Sequence, residues 1–153
     1  MHLSELIHQP QFSSAAQEAL LNVLVTESWV TSEFAATLAP LEITPAQYNV
    51  LRILRGTHPR PQTCSDIAER LLDRTPDVTR LLVRLERAAL IARCRAEHDR
   101  RVVEVSITDK GLDLLSRLDD PMDQAIGRLT RHLSDEELQT LSSLLDRLRT
   151  DQE

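Results

Sequence analysis

Residues 63–107 change structural period, and that change constrains the fold more than any other feature of the chain. Thr63 and Asp66 have the spacing of a capping box. They predict a short helix over 64–72, with Ile67, Ala68, Leu71 and Leu72 facing inward. Asp73-Arg74-Thr75-Pro76 then breaks the pattern. Thr75 as a cap and Pro76 at the first helical position predict a second short helix, ending near Ala88. From Ile91 the period becomes two: Ile91, Val103, Val105 and Ile107 alternate with polar residues around a charged turn, Ala96-Glu97-His98-Asp99. Alternation of that kind is strand behaviour. Two short helices joined by about four residues, followed by a hairpin, form a helix-turn-helix with a wing.

Helices flank this unit on both sides. Ser14 and Gln17 open a long helix to about Leu38, with an apolar stripe at Ala16, Leu20, Val23, Val30, Phe34 and Leu38 that Glu27 interrupts. Thr44 caps a helix beginning at Pro45, with Tyr48, Leu51 and Leu54 on its core face, Val50 beside them, and an end at Gly56 followed by Pro59 and Pro61. Thr108 caps another, with Leu112, Leu115, Leu118, Met122, Ile126 and Leu129 on its apolar face, and Pro121 kinks or divides it. Ser134 and Glu137 open a last helix, whose Leu138, Leu141, Leu145 and Leu148 form a three-four-three seam. The expected fold is mainly α with a small β-hairpin wing. A single chain, 1–153, holds a winged lobe at 44–108 between helices at 10–40 and 109–150.

Charge separates these parts. Residues 74–101 carry eight Arg against four acids, whereas the whole chain stands at -6. Residues 1–51 contain five Glu and no Lys or Arg, and 109–153 carry eleven acids against six bases. An acidic chain binds nucleic acid when its positive charge is gathered on one face. On a helix over 75–89, Val78, Leu81, Leu82, Leu85 and Ala89 share one side, and Asp77, Arg80, Arg84 and Arg87 the other. A helix fits the major groove of DNA, where Arg reads guanine with a bidentate contact. Thr75 at the helix start offers amides to a phosphate. Arg93, Arg95, Arg100 and Arg101 surround a hairpin tip of a size for the adjacent minor groove. Asp77 either accepts from a cytosine amino group or pairs with Arg74 or Arg80.

Other classes find little support. No run approaches the length of a membrane span. The start, MHLSELIHQP, lacks the basic and apolar regions of a signal peptide, so a cytoplasmic protein is expected. No nucleophile elbow, phosphate loop or dinucleotide-binding glycine pattern is present, so no enzyme and no cofactor are expected. The five histidines show no metal-ligand spacing.

At these residues the chain resembles the MarR family of winged-helix transcriptional regulators. The resemblance lies in Leu41-Glu42-Ile43-Thr44-Pro45-Ala46-Gln47-Tyr48-Asn49-Val50-Leu51, Ala68-Glu69-Arg70-Leu71, Val78-Thr79-Arg80-Leu81-Leu82-Val83-Arg84-Leu85-Glu86, Asp99-Arg100-Arg101, and Val105-Ser106-Ile107-Thr108-Asp109-Lys110-Gly111. It implies a homodimer gripping double-stranded DNA with two wings, and repression relieved by a small ligand or an oxidant. It also implies that Arg101 enters the minor groove with Asp99 bracing it. The expected DNA-contacting set is Thr75, Asp77, Thr79, Arg80, Arg84, Arg87, Arg95, Asp99, Arg100 and Arg101. Family members commonly carry Gly where this chain has Ala89. Alanine there either costs roughly 1 kcal/mol or reshapes the turn.

Four further expectations follow. Leu20, Val23, Leu138, Leu141, Leu145 and Leu148 lie on stripes that a small winged domain leaves uncovered. They pack either against a second copy or against each other. In the family, ligands bind between the dimer helices and the DNA lobe, so Glu27, Trp29 and Tyr48 either line such a pocket or, for the two aromatics, fill the core. Cys64, in the first turn of a helix, is either a redox-sensing thiol or a structural one. The strand expected near 62–63 lies beside that at 102–107, which holds Cys94 too far from Cys64 for a disulfide. The alternative function is a winged-helix module used only for protein–protein assembly, which would bind neither heparin nor duplex DNA at low salt.

Overall fold

The computed structural model describes residues 2–73, 77–96 and 99–150. In chain order it contains α1 (Leu3–Leu6), α2 (Ala15–Leu38), a 3-10 turn (Ala39–Leu41), α3 (Pro45–Thr57), β1 (Gln62–Thr63), α4 (Cys64–Arg70), α5 (Val78–Arg87), β2 (Ile91–Arg95), β3 (Val103–Ile107), α6 (Asp109–Thr130) and α7 (Asp135–Arg149). The strands form one antiparallel sheet in the order β1-β3-β2. No helix among the described residues is long and apolar enough to cross a membrane.

Hydroxyl caps set most helix starts, because each supplies an acceptor to an otherwise orphaned amide. Ser14, Thr44, Thr63, Thr108 and Ser134 accept from the amides of Gln17, Gln47, Asp66, Gly111 and Glu137. Helix α5 is described from Val78. Asp77, not Thr75, caps its described start, accepting from the Arg80 amide at 3.2 Å. Thr75, Pro76 and Arg74 lie outside the described residues.

One apolar core joins the elements. Leu38 and Ile43, Val50, Leu51, Ile53 and Leu54 of α3, Ile67 and Leu71, Leu81, Leu82 and Leu85 of α5, Val105 and Ile107 of β3, and Leu115, Leu118 and Met122 of α6 bury together. Four sequence expectations are corrected here. Leu72 is not inward but 89% exposed, because α4 ends at Arg70 and Leu71 takes the buried position. Gly56 lies inside α3, and Pro59 of the expected stop sets its end. The helix runs to Thr57 and stops at His58, whose ψ of 136° is the extended backbone favoured before Pro59. Pro121 does not divide α6, whose flanking Leu118 and Met122 remain buried. Ile126 is exposed, and Ala125 buries in its place.

The turn after α5 keeps its left-handed residue without glycine. Ala89 has φ 58°. The amide of Ala89 donates to Glu86 O at 2.8 Å, and that of Leu90 to Leu85 O at 3.0 Å. This is the paired bonding of a Schellman motif, with buried Leu90 as its apolar anchor. The side-chain carbon in that conformation costs on the order of 1 kcal/mol.

The first residues of α6 complete the same turn. Lys110 Nζ donates to Ala88 O at 2.8 Å, Thr108 Oγ1 to Ala89 O at 2.8 Å, and Thr108 N to Leu90 O at 3.1 Å. Three carbonyls at the end of the reading helix are thus held by the start of α6.

Helix α7 packs differently. It has no buried residue. Leu141, Leu144 and Leu148 stay 45%, 52% and 55% exposed, and Leu20 of α2 50%. Leu138 and Leu145 are part-covered, and Val23 is exposed. The stripe therefore does not close within one chain.

Candidate nucleic-acid interface

The basic segment divides into two structural parts. In α5, Leu81, Leu82 and Leu85 face the core, which turns Thr79, Arg80, Arg84 and Arg87 to solvent. Asp77 serves two purposes. Besides capping the helix, its Oδ2 lies 3.2 Å from Arg80 Nε. The acid on the reading face therefore orients an arginine, one of the alternatives its position allowed.

The wing tip is ordered by its own polar groups. Asp99 Oδ1 accepts from the Arg101 amide at 2.9 Å, and Val102 N donates to Asp99 O at 3.0 Å. Asp99 braces Arg101 through the backbone. Arg95 Nη1 donates to Arg100 O at 3.1 Å, which makes Arg95 a second brace for the tip. Arg100 and Arg101 are exposed. Glu97 and His98 lie outside the described residues.

Arg93 behaves unlike the other arginines. It points back along the sheet to Glu86 of α5, with Nε and Nη2 at 2.9 and 2.5 Å from Glu86 Oε2. The Arg93 hydrogen bond holds the Glu86 carboxyl below the usual range, and Glu86 raises Arg93 in return. Charge counting could not separate Arg93 from its neighbours. The signal available was its place on the same strand face as buried Ile91.

A second ion pair crosses from α3 to α6, where Arg55 Nη1 meets both Asp119 oxygens at 2.9 and 3.0 Å. It escaped sequence reading because its partners are sixty-four residues apart.

The remaining candidates are scattered. Glu27 is exposed and bonds the Thr31 hydroxyl, and Trp29 is half-exposed on the same helix. Residues two apart on a helix do not share a face, so these two are not gathered on one side of α2. Tyr48 packs against the core with Arg52 over its ring, and burial raises its phenol. Cys64 is part-buried against the core, and Cys94 is exposed on β2. Strand β3 separates β1 from β2. Two strand spacings are about 10 Å, beyond the span of a disulfide.

The comparisons with known proteins agree with this geometry. A profile of the MarR family matches residues 41–102. A MarR transcription factor structure from Planctomyces limnophilus is 38% identical, covering 89% of this chain and 98% of that one, with a TM-score of 0.70. A mutant of MarR from E. coli, complexed with operator DNA, is 25% identical over 84% of this chain and 91% of that one, with a TM-score of 0.76. The transcriptional regulator FarR of Neisseria gonorrhoeae is 28% identical over 119 residues, which span 76% of this chain and 79% of FarR. The homoprotocatechuate degradative operon repressor of Escherichia coli is 28% identical over 104 residues, 68% of this chain and 69% of the repressor. With the winged helix-turn-helix and the exposed arginine face of α5 in place, the chain belongs to the MarR family of transcriptional regulators.

Proposed function

We propose that the protein is a homodimeric repressor that binds a pseudo-palindromic operator in double-stranded DNA and is released by a small ligand or an oxidant. The observation that carries this reading is the solvent-facing row Arg80, Arg84 and Arg87 on a helix whose opposite side is core, beside a braced wing tip bearing Arg100 and Arg101. A related MarR in complex with operator DNA supports it. Thr75 belongs to the proposed contact set with Thr79 and the arginines. Arg95 and Asp99 act by shaping the tip, and Asp77 by orienting Arg80.

The test begins with duplexes selected from a random pool. At fixed salt, Arg84→Ala and Arg101→Ala are each expected to weaken binding to the selected duplex by about tenfold or more, since a good arginine–base contact is worth roughly 1–3 kcal/mol. The affinity should also fall steeply with salt, because neutralised phosphates release counterions. Unchanged affinity in both variants would remove this face as the reader.

The uncovered leucines of α2 and α7 support the dimer. Two-fold symmetry would place two reading helices roughly 34 Å apart, one turn of DNA. For release, Bordetella bronchiseptica BpsR, whose DNA binding is regulated by 6-hydroxynicotinic acid, shares the fold at 22% identity. Trp29 and Tyr48 are the proposed pocket residues here, and Cys64 the proposed thiol. Trp29 is the single tryptophan, so its fluorescence reports on the pocket directly. A releasing ligand should change that emission at the concentrations that dissociate DNA. Release by peroxide should disappear in Cys64→Ser. Ligand release with no change in Trp29 emission would place the pocket elsewhere, and peroxide release that survives in Cys64→Ser would exclude this thiol.

A further inference from the structure

We propose that Glu86 and Arg93 are positioning residues that set the angle between the reading helix and the wing, so that Arg93 is not itself a DNA contact. The inference rests on the DNA-binding reading above.

The pair sits at a vertex. Glu86 lies in the last turn of α5 and Arg93 in the middle of β2, with the left-handed Ala89 between them. Thr108 and Lys110 hold the turn itself, and the buried faces of α5 and β2 pack on one side of it. The carboxylate–guanidinium contact closes the angle from the side, with both Nε and Nη2 directed at one oxygen. Arg93 is also well anchored. It pairs with Val105 of β3, and Val105 pairs in turn with Gln62 of β1, so its rung crosses all three strands. Fixing Glu86 to that rung fixes the reading helix to the centre of the sheet.

The lever arm makes this angle matter. Arg93 is level with Val105 of β3, four and five residues from Arg101 and Arg100, so at about 3.3 Å per residue these stand roughly 13–17 Å from the vertex. A rotation of about 10° there would move the tip by roughly 2–3 Å, a little under one residue's rise along a strand. Arg80 and Arg84 on one arm and Arg101 on the other reach adjacent grooves together only when the angle is right. The pair is part-exposed, with side-chain exposures of 26% and 38%, so it adds little to global stability. Its effect is on geometry.

The two possible roles of Arg93 predict opposite signs. If Arg93 contacts phosphate, Glu86→Ala removes a competing negative charge and tightens binding to any duplex. If the pair positions the helix, Glu86→Ala loosens the angle and weakens binding only where both grooves must be read. Fluorescence anisotropy would compare the selected duplex with a scrambled duplex of equal length, using full-length protein. Glu86→Ala is expected to lose about tenfold on the selected duplex and less than twofold on the scrambled one. The charge-exchanged double variant, Glu86→Arg with Arg93→Glu, is expected to recover most of that loss. Thermal unfolding of each variant accompanies the binding. Selected-duplex binding by Glu86→Ala that equals or exceeds the parent overturns the proposal. So does a double variant that melts as the parent does without regaining selectivity. A parent protein that binds neither duplex at low salt fails on the DNA-binding reading instead, and the positioning role falls with it.

Discussion

Gly111→Ala is expected to destabilise the fold by about 3 kcal/mol or more, with a fall in operator affinity beyond what unfolding explains. A Cβ at Gly111 would lie 2.3 Å from Leu90 O and 2.7 Å from Ile107 Cγ1. The oxygen cannot yield cheaply. It belongs to the backbone, accepts from Thr108 N, and follows the strained Ala89. Relief requires α6 to withdraw from the end of α5, which breaks the contacts of Thr108 and Lys110 with Ala89 O and Ala88 O. Overpacking of this kind typically costs about 1–3 kcal/mol, and more where backbone must move. In a chain this long that corresponds to a fall of roughly 10 °C in melting temperature, compared at equal protomer concentration. Gly56→Ala is the matched control. Nothing lies within 4 Å of its Cβ position, and it sits inside α3. Alanine should be neutral or up to about 1 kcal/mol stabilising there. Equal melting temperatures for Gly111→Ala and the parent would show that this junction is loose.

The second large effect concerns α7. Leu141→Glu with Leu148→Glu is expected to give a monomer at low micromolar concentration and to weaken operator binding by about a hundredfold or more. A fully buried leucine contributes roughly 1.5–3 kcal/mol, and two-fold symmetry counts each substitution twice. Glutamates there would be stranded in an apolar interface, at a further cost. Loss of the dimer removes the fixed spacing that lets the second half-site bind at high effective concentration. The fold of each protomer should survive, since no residue of α7 is buried within it. Sedimentation velocity and circular dichroism read the two halves of this result separately. A variant that sediments as the parent does would show that α7 is not the interface. A monomer that binds the selected duplex as tightly as the parent would uncouple dimerisation from recognition.

Local features were readable where local physics decides them. Five helix starts depend on hydroxyl residues three positions before the amides they bind, and that spacing is visible in the chain. The alternation at 103–107 likewise marks a strand whose alternate residues, Val105 and Ile107, are buried. The reading helix shows its two faces at a period of 3.6. Errors arose where neighbours override a local signal. Of the stop read from Gly56, Pro59 and Pro61, it is Pro59 that sets where α3 ends, one residue beyond Gly56. Pro121 resembles a break, yet the packing of Leu118 and Met122 carries the helix through.

By itself the sequence determined the winged helix-turn-helix order, the core face of α5, and the gathering of positive charge between two acidic ends, because capping, periodicity and net charge act over a few residues. Only the tertiary structure decided what each arginine does. Arg93 turns inward to Glu86, Arg95 braces the tip, Arg55 joins α3 to Asp119 of α6, and Arg80 is held by Asp77. Charge is a property of composition, but a guanidinium's task depends on which acceptors the fold brings within about 3 Å of it. For Arg93 and Arg55 those acceptors lie on other elements, which the chain brings together only when it folds.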